Sequence, residues 1–259
     1  MNWYVKSQIQ KESEILPDYG ISEGIWSHIS GTMENVVRLA GANRLEELSR
    51  LKWKTGGPIW READETIPPE FLKILQDGDY GWYVEFEGNH GLVCYRAGYQ
   101  PTENRMSIRF NPSLPLILSQ RSYFGKGSVW VEQKSQYMHD LGRMRHSIRH
   151  EVTHLLRDAQ TGHIKKYVDK MKREDSVYEH YKSRGHEELE FEIDAKIAAL
   201  ASLRNQLGAE RFDKLTPGRI GEILPGYRFP SGGPFLAKWV KRLMREGLLT
   251  TGMKEAWNL

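Results

Sequence analysis

The chain has 259 residues, enough to bury a sizeable core, and its formal net charge of only +3 argues against a whole-chain polyanion binder. Hydrophobic residues make up 39% and charged residues 27%, close to the soluble globular average, which excludes a mostly disordered chain. The single cysteine, Cys94, excludes an internal disulfide framework and a cysteine-based zinc site. Because the sequence shows neither a secretion signal after Met1 nor an apolar run of about 18 residues, we expect a cytoplasmic protein.

The first quarter of the chain has the pattern of helices. Ile25, Ile29 and Met33 recur at helical spacing within residues 1–50, and a further short helix is predicted over residues 70–76. Gly56-Gly57-Pro58 lies between these segments and has the composition of a turn. Residues 1–75 are therefore predicted to form a helical N-terminal region.

The next stretch alternates in the way that strands do. Trp82, Val84 and Phe86 alternate with polar or half-polar residues, and the glycine-rich residues 88–91 separate them from the apolar residues 92–95. This pattern predicts a hairpin, and residues 106–110 alternate again as a third strand. The region therefore predicts a small, mostly antiparallel sheet.

Two long helices follow, and the chain ends in a basic helical region. An apolar stripe predicts a helix over residues 136–159, and a second helix, rich in Ala and Leu, is predicted over residues 187–207. Thr216-Pro217 begins a further helix, and residues 235–246 form a basic amphipathic one. The fold class is α+β, with a core over residues 76–208 and a basic C-terminal region over residues 209–259.

One motif carries the chemistry. His150-Glu151-Val152-Thr153-His154 has the form H-E-x-x-H and lies within the strongest predicted helix. Residues four apart project from the same helix face, so the two imidazoles can bind one metal ion. The glutamate between them is close enough to act on a metal-bound water. The spacing therefore predicts a metal site on this helix.

The segment over residues 137–207 resembles the zincin metallopeptidases, in which a helix with this motif follows a small sheet. The metzincin branch would require glycine and histidine where this chain has Arg157 and Gln160. The gluzincin branch fits better, and this resemblance implies a third ligand, a glutamate, from the following helix. Catalytic zinc commonly has three protein ligands and one open position.

The third ligand remains open between two glutamates. Gluzincins often have a small residue three positions after the ligand and an acid or asparagine four positions after it. Glu190 has Asp194 at the fourth position, whereas Glu192 has Ala195 at the third. Helical projection places Glu192 on an inward face and Glu190, with Asp194, toward solvent, so Glu192 is favoured.

The resemblance implies a zinc-dependent peptidase. Zn²⁺ would be held by His150, His154 and Glu192, and Glu151 would take a proton from a zinc-bound water and pass it to the leaving amine. Asp158 is expected to be either a hydrogen-bond partner of a ligand histidine or part of a surface ion pair. The oxyanion donor stays open among four residues without diagnostic spacing: Tyr178, His180, Tyr181 and His186.

Two further expectations concern partners. By analogy with zincins, the strand over residues 106–110 is expected to be a sheet edge that binds an extended peptide or protein substrate. The alternative function is a zincin-fold structural or interaction protein without catalysis. From Arg204 onward the chain has 10 Lys/Arg against 5 Asp/Glu, so this alternative has the basic C-terminal region contacting a partner or nucleic acid.

Overall fold

The computed structural model describes residues 17–41, 44–86, 95–110, 129–173, 190–224, 227–230 and 232–259. The chain divides into two compact units, and the boundary between Leu155 and Leu156 falls inside one long helix. The described residues form helices and one small sheet, which confirms the α+β class. Within these ranges no helix has both the length and the apolar character that crossing a membrane requires.

The unit from Asp18 to Leu155 contains the sheet. Its helices are α1 (Ile21–Gly41), α2 (Leu45–Arg50), a 3-10 helix (Ile59–Glu62), α3 (Pro69–Asp77) and most of α4 (Val129–Thr161). Its strands are β1 (Trp53–Pro58), β2 (Gly81–Phe86), β3 (Tyr95–Gln100) and β4 (Arg105–Phe110).

The other unit is helical in its described residues. It comprises Met1–Pro17 and Leu156–Leu259, and its described part includes the last turns of α4. The helices that follow are α5 (His163–Arg173), α6 (Glu190–Leu207), α7 (Ala209–Asp213), α8 (Pro217–Ile223), α9 (Gly233–Arg245) and α10 (Thr251–Trp257).

The strand order of the sheet is β1-β2-β4-β3. The outer pairs, β1–β2 and β3–β4, are antiparallel, whereas the central pair β2–β4 is parallel. The predicted hairpin is therefore wrong, because β3, which begins at Tyr95, pairs with β4 and not with β2. Residues 87–94, which include the predicted turn and Cys94, lie outside the described residues.

Burial explains this strand order. Each central strand presents three nearly inaccessible apolar side chains on one face, and each of these side chains is at most 3% exposed. These residues are Trp82, Val84 and Phe86 on β2, and Met106, Ile108 and Phe110 on β4. The third predicted strand thus forms, but it is an interior strand, so the expectation that it forms the sheet edge is wrong.

The strand β1 replaces a predicted turn. Its Gly-Gly-Pro sequence is typical of a turn, yet Gly56 lies directly opposite Tyr83 in the antiparallel ladder. A Cβ atom at Gly56 would lie 2.2 Å from the carbonyl oxygen of Trp82 and 2.8 Å from the Cα of Tyr83. The lack of a side chain is therefore what allows β1 to approach β2, while Pro58 ends the strand.

A Gly56→Ala substitution should destabilise the fold by about 1–3 kcal/mol, because the new methyl group would overlap backbone atoms that cannot move independently. Chemical denaturation of both alanine variants measures this. Gly57→Ala is the matched control, since a Cβ atom there meets nothing within 4 Å. Equal stability of the two variants would contradict the proposed close approach.

The first helix, α1, packs with the spacing that the sequence predicted. Ile21, Ile25 and Ile29 are fully buried, and Met33 is 4% exposed. On the same helix, the His28 Nε2 atom lies 2.9 Å from the Thr55 Oγ1 atom, and its ring meets the Trp82 ring edge-on. These contacts attach α1 to the sheet through β1 and β2.

The core of the helical unit is centred on α6. Residues 192–200 are all buried, so this helix lacks the single apolar face of a surface helix. The surrounding side chains come from α7 to α10 and the turn before α10. The buried cluster comprises Ile193, Ile197, Leu200, Leu203, Phe212, Ile220, Leu224, Trp239, Leu243, Leu248 and Met253.

Hydrogen bonds from side chains fix the starts of the short C-terminal helices. The predicted cap at Thr216 is confirmed, since its Oγ1 atom accepts the Arg219 N–H. Helix α10 was not predicted, and it begins where the Thr250 Oγ1 atom accepts the Met253 N–H. The Asp213 carboxylate accepts both the backbone N–H and the hydroxyl of Thr251, at 3.1 and 2.7 Å.

These bonds lower the pKa of Asp213 below its ordinary 3.8, the Thr251 hydroxyl contributing most. The carboxylate form is thus favoured by folding, so its stabilising contribution is present above pH 3.8 and is lost as the pH falls through the lowered pKa. We expect Thr251→Val to raise the pKa of Asp213 toward 3.8 in a ¹³C NMR titration. Thr216→Val, which removes the cap of another helix, should leave it unchanged; a pKa insensitive to Thr251→Val would contradict this assignment.

Candidate metal centre

The motif lies in the middle of α4, as predicted. The apolar stripe of this helix is fully buried at Met144, Ile148, Val152 and Leu155. Every residue from 152 to 158 is buried, so packing surrounds the helix just beyond the motif. Close packing restricts movement of the helix backbone, so the Cα atoms of the motif residues have fixed positions.

The two histidines of the motif face each other. Their Nε2 atoms are 3.1 Å apart, and their rings meet edge to face with centroids 4.7 Å apart. His154 is buried, with 6% exposure, while His150 is half-buried. The i, i+4 spacing has therefore brought two nitrogen donors to a single point, as the sequence predicted.

A carboxylate completes this group. Glu192 lies on α6 and is 6% exposed. One ligand atom from each of His150, His154 and Glu192 lies within 4.8 Å of the other two. Exposed acidic groups often cluster without any ligand, but burying a carboxylate is costly unless a cation or hydrogen-bond donor compensates it.

The donor set suits a divalent metal ion. Tetrahedral coordination with bonds of about 2.0–2.1 Å places ligand atoms roughly 3.3 Å apart, close to the observed separation of the two imidazole nitrogens. The remaining separations, up to 4.8 Å, require only small rotations of side chains. Two imidazoles and one carboxylate also leave a fourth position open. The three residues could therefore hold a metal ion.

Glu190 is the other glutamate that the sequence offers as a third ligand. The side chain of Glu190 lies outside the described residues, so the structure makes no comparison between it and Glu192. The expectation that Asp194 faces solvent is wrong, because Asp194 is only 1% exposed. Projection on a wheel failed here because α6 is covered on all sides over residues 192–200, and none of these residues faces water.

Asp194 is held by two arginines. Its Oδ2 atom forms an ion pair with Arg157 of α4, and its Oδ1 atom accepts a hydrogen bond from Arg242 of α9. The side chains of Arg157 and Arg242 are 8% and 9% exposed. Three helices thus meet at one buried carboxylate. Asp194 lies two residues beyond Glu192, and its partner Arg157 lies three residues beyond His154.

The other residues expected to participate have different outcomes. Glu151 is half-buried and follows His150 directly on α4. Asp158 is 1% exposed and accepts the Lys165 N–H at 3.0 Å, so the surface ion pair expected as one alternative is wrong. The four candidate oxyanion donors lie within residues 174–189, outside the described residues.

Helix α1 is tied to α4 next to the motif. Arg149 forms an ion pair with Asp18 at 2.9 Å, and Asp18 also accepts the N–H and hydroxyl of Ser22. One turn earlier, the Arg145 guanidinium donates to both carboxylate oxygens of Glu23. The start of α1 and the turn before His150 are therefore fixed to each other by one ion pair and by two charge-assisted hydrogen bonds.

Sequence reasoning missed these charged partners. Asp18 and Arg149 are 131 positions apart, and Asp194 and Arg242 are 48 positions apart, which no local spacing rule connects. Arg157 offered the one usable signal, because it follows His154 by three residues and so lies on nearly the same helix face. In the sequence, Arg157 indicated only that the metzincin pattern is absent.

The basic helix near the C-terminus packs into the core. Trp239 and Leu243 of α9 are at most 1% exposed, while Lys238, Lys241 and Arg245 are exposed. Trp239 and Leu243 therefore pack into the core while these three cations face water, as in an amphipathic helix. Two residues depart from this pattern, since Arg242 is buried and Met244 is 64% exposed.

Comparison of the chain with protein-family models, with curated proteins and with solved structures returns no match in any of the three. The function therefore has to be argued from the site.

Metal binding can be measured directly. We expect the purified protein to bind one Zn²⁺ per chain and to unfold at a higher temperature when loaded, because the ion binds only the folded ligand set. Replacing a hydrogen-bond partner of a metal ligand typically weakens metal binding by roughly 10- to 100-fold. Because His154→Ala and Glu192→Gln remove ligands themselves, each should weaken zinc binding by more than that. His28→Ala, which removes an exposed histidine of α1, should leave zinc affinity unchanged. Equal zinc binding by all these variants and the native protein would contradict the site.

Proposed function

We propose that this protein is a zinc-dependent metallopeptidase that hydrolyses peptide bonds. The observation that carries the proposal is the convergence of His150, His154 and Glu192 within 4.8 Å, with Glu151 next to the first histidine on the same helix. A metal site needs only the first three residues. An H-E-x-x-H helix with a carboxylate at the same point is the arrangement expected of a hydrolytic zinc centre.

The order of the elements also supports this proposal. The third carboxylate comes from α6, which follows the motif helix in the chain, as the resemblance to gluzincins implies. The sheet precedes the motif helix, and the Tyr95 hydroxyl of β3 lies 2.7 Å from the Ser147 Oγ atom, one turn before Glu151. The sheet and the motif helix are thus in direct contact next to the proposed reaction centre.

The proposed chemistry divides between metal and protein. Bound zinc supplies a Lewis acid that activates a water molecule and polarises the carbonyl of the substrate. The Glu151 carboxylate accepts the proton that the water loses and delivers it to the nitrogen of the leaving amine. His150, His154 and Glu192 keep their positions throughout, because two of the three are buried in packed helices.

The corrected sheet topology offers a surface for an extended peptide. Within the described residues β3 pairs only with β4, so β3 and not β4 is the edge strand beside α4. An edge strand can pair with a peptide through backbone hydrogen bonds, which recognise extended chains with little regard to sequence. We assign the binding of the peptide or protein substrate to this edge.

Replacing the general base tests the reaction. Glu151→Gln should lower the kcat of peptide hydrolysis by about 10²–10⁴-fold, because glutamine cannot accept the proton. Zinc content should stay at one ion per chain, since Glu151 is not a ligand. The measurement is cleavage of a mixed-sequence peptide library by the zinc-loaded protein, followed by mass spectrometry.

The matched control is Glu210→Gln, which changes an exposed carboxylate whose ion-pair partner is the neighbouring Lys214. It should cleave at the native rate. Cleavage that persists in Glu151→Gln would show that a contaminant or another residue is responsible. A zinc-loaded native protein that cleaves nothing would overturn the peptidase proposal and leave the alternative of a zincin-fold interaction protein.

A further inference from the structure

The carboxylates of Asp194 and Asp158 are the most completely buried of the described acidic groups on the two helices of the candidate metal centre, and Asp194 is the one held by two arginines. Asp194 is 1% exposed, and its two oxygens are each paired with a different guanidinium, from Arg157 and Arg242. The three residues belong to α6, α4 and α9. We call this group the Asp194 clamp.

Such a group is costly to assemble inside a protein. Burying an ion carries a desolvation penalty of several kcal/mol, and pairing recovers it only when the geometry is good. Apolar side chains of the same volume often stabilise a fold equally well, so a buried cluster of charges is weak evidence of a purely stabilising role. Its specific value is geometric, because an ion pair on one oxygen and a charge-assisted hydrogen bond on the other hold the carboxylate between two planar guanidinium groups.

The position of the clamp indicates what it orients. Asp194 lies two residues after Glu192 on α6, and Arg157 lies three residues after His154 on α4. A carboxylate that binds a metal ion needs its oxygen held within about 0.5 Å, so the turn of helix that carries it has to be fixed by its neighbours.

We infer that Asp194 is a positioning residue for the metal centre, and that Arg242 makes helix α9 a functional part of that centre. The ion pair with Arg157 attaches the turn that carries Glu192 to the helix that carries His154. The hydrogen bond from Arg242 fixes the other oxygen of the same carboxylate. This inference rests on the proposed function, since it takes Glu192 as a metal ligand.

The experiment measures zinc affinity in folded protein. Metal-free native protein and the variants Asp194→Asn, Arg242→Met and Arg245→Met are each checked for native circular dichroism. Each is then titrated with zinc against a chromophoric chelator. Cobalt(II) is used as a second probe, because its visible absorption reports the number and arrangement of its ligands. Arg245→Met is the matched control, since Arg245 lies on the exposed side of the same helix.

We expect Asp194→Asn to raise the zinc dissociation constant by about 10- to 100-fold and Arg242→Met by about 10-fold. Both should alter the cobalt absorption, and Arg245→Met should change neither quantity. If Asp194→Asn does not fold, Arg242→Met decides the question, because it leaves the ion pair between Asp194 and Arg157 in place. A purely structural clamp would lower the unfolding temperature of these variants without changing their zinc affinity when folded.

Two failures can be told apart. If the native protein binds no zinc, the metal centre itself is wrong. If the native protein binds zinc and Glu192→Gln does not, while folded Asp194→Asn and Arg242→Met bind it with native affinity and native cobalt absorption, the metal centre stands and the positioning role is overturned.

Discussion

The burial of ionised side chains is the constraint on which the functional part of this protein depends. Asp194, Arg157 and Arg242 lie where water reaches less than a tenth of each side chain, so each charge requires a partner at a fixed place. Through Asp194, α6 is attached to α4 by Arg157 and to α9 by Arg242. Glu192, equally buried, takes its position from the same turns of α6.

The remaining architecture supports the motif helix from its other end. The parallel pairing of β2 and β4 places six apolar side chains in the middle of a small sheet, and α1 attaches to that sheet through His28. Ion pairs from Asp18 and Glu23 then fix the turns of α4 just before His150. Each half of the motif helix is thus held by neighbours within its own compact unit.

Local patterns were sufficient where one segment decides its own structure. The stripe through Ile148 and Val152 predicted α4, and the H-E-x-x-H spacing predicted that His150 and His154 would face each other. Local patterns were insufficient to predict which strands pair with each other. The hairpin prediction assumed that neighbours in sequence pair, but the apolar face of β4 competes better than β3 for the position beside β2. Gly56 was misassigned for a related reason, because a glycine that permits close approach has the same sequence signature as a turn.

The sequence by itself determined the α+β class, the motif helix and the pair of imidazoles, because helical periodicity and i, i+4 spacing are local properties of the chain. The sequence favoured Glu192 because helical projection assigned Glu190 to a solvent-exposed face, but residues 192–200 of α6 are all buried. Only the tertiary structure decided that Glu192 lies within 4.8 Å of both histidines, and that Asp194 meets arginines 37 positions before it and 48 positions after it in the chain. The physical reason is that these contacts join groups distant in sequence, and packing of whole helices, not the preference of any segment, sets their separation.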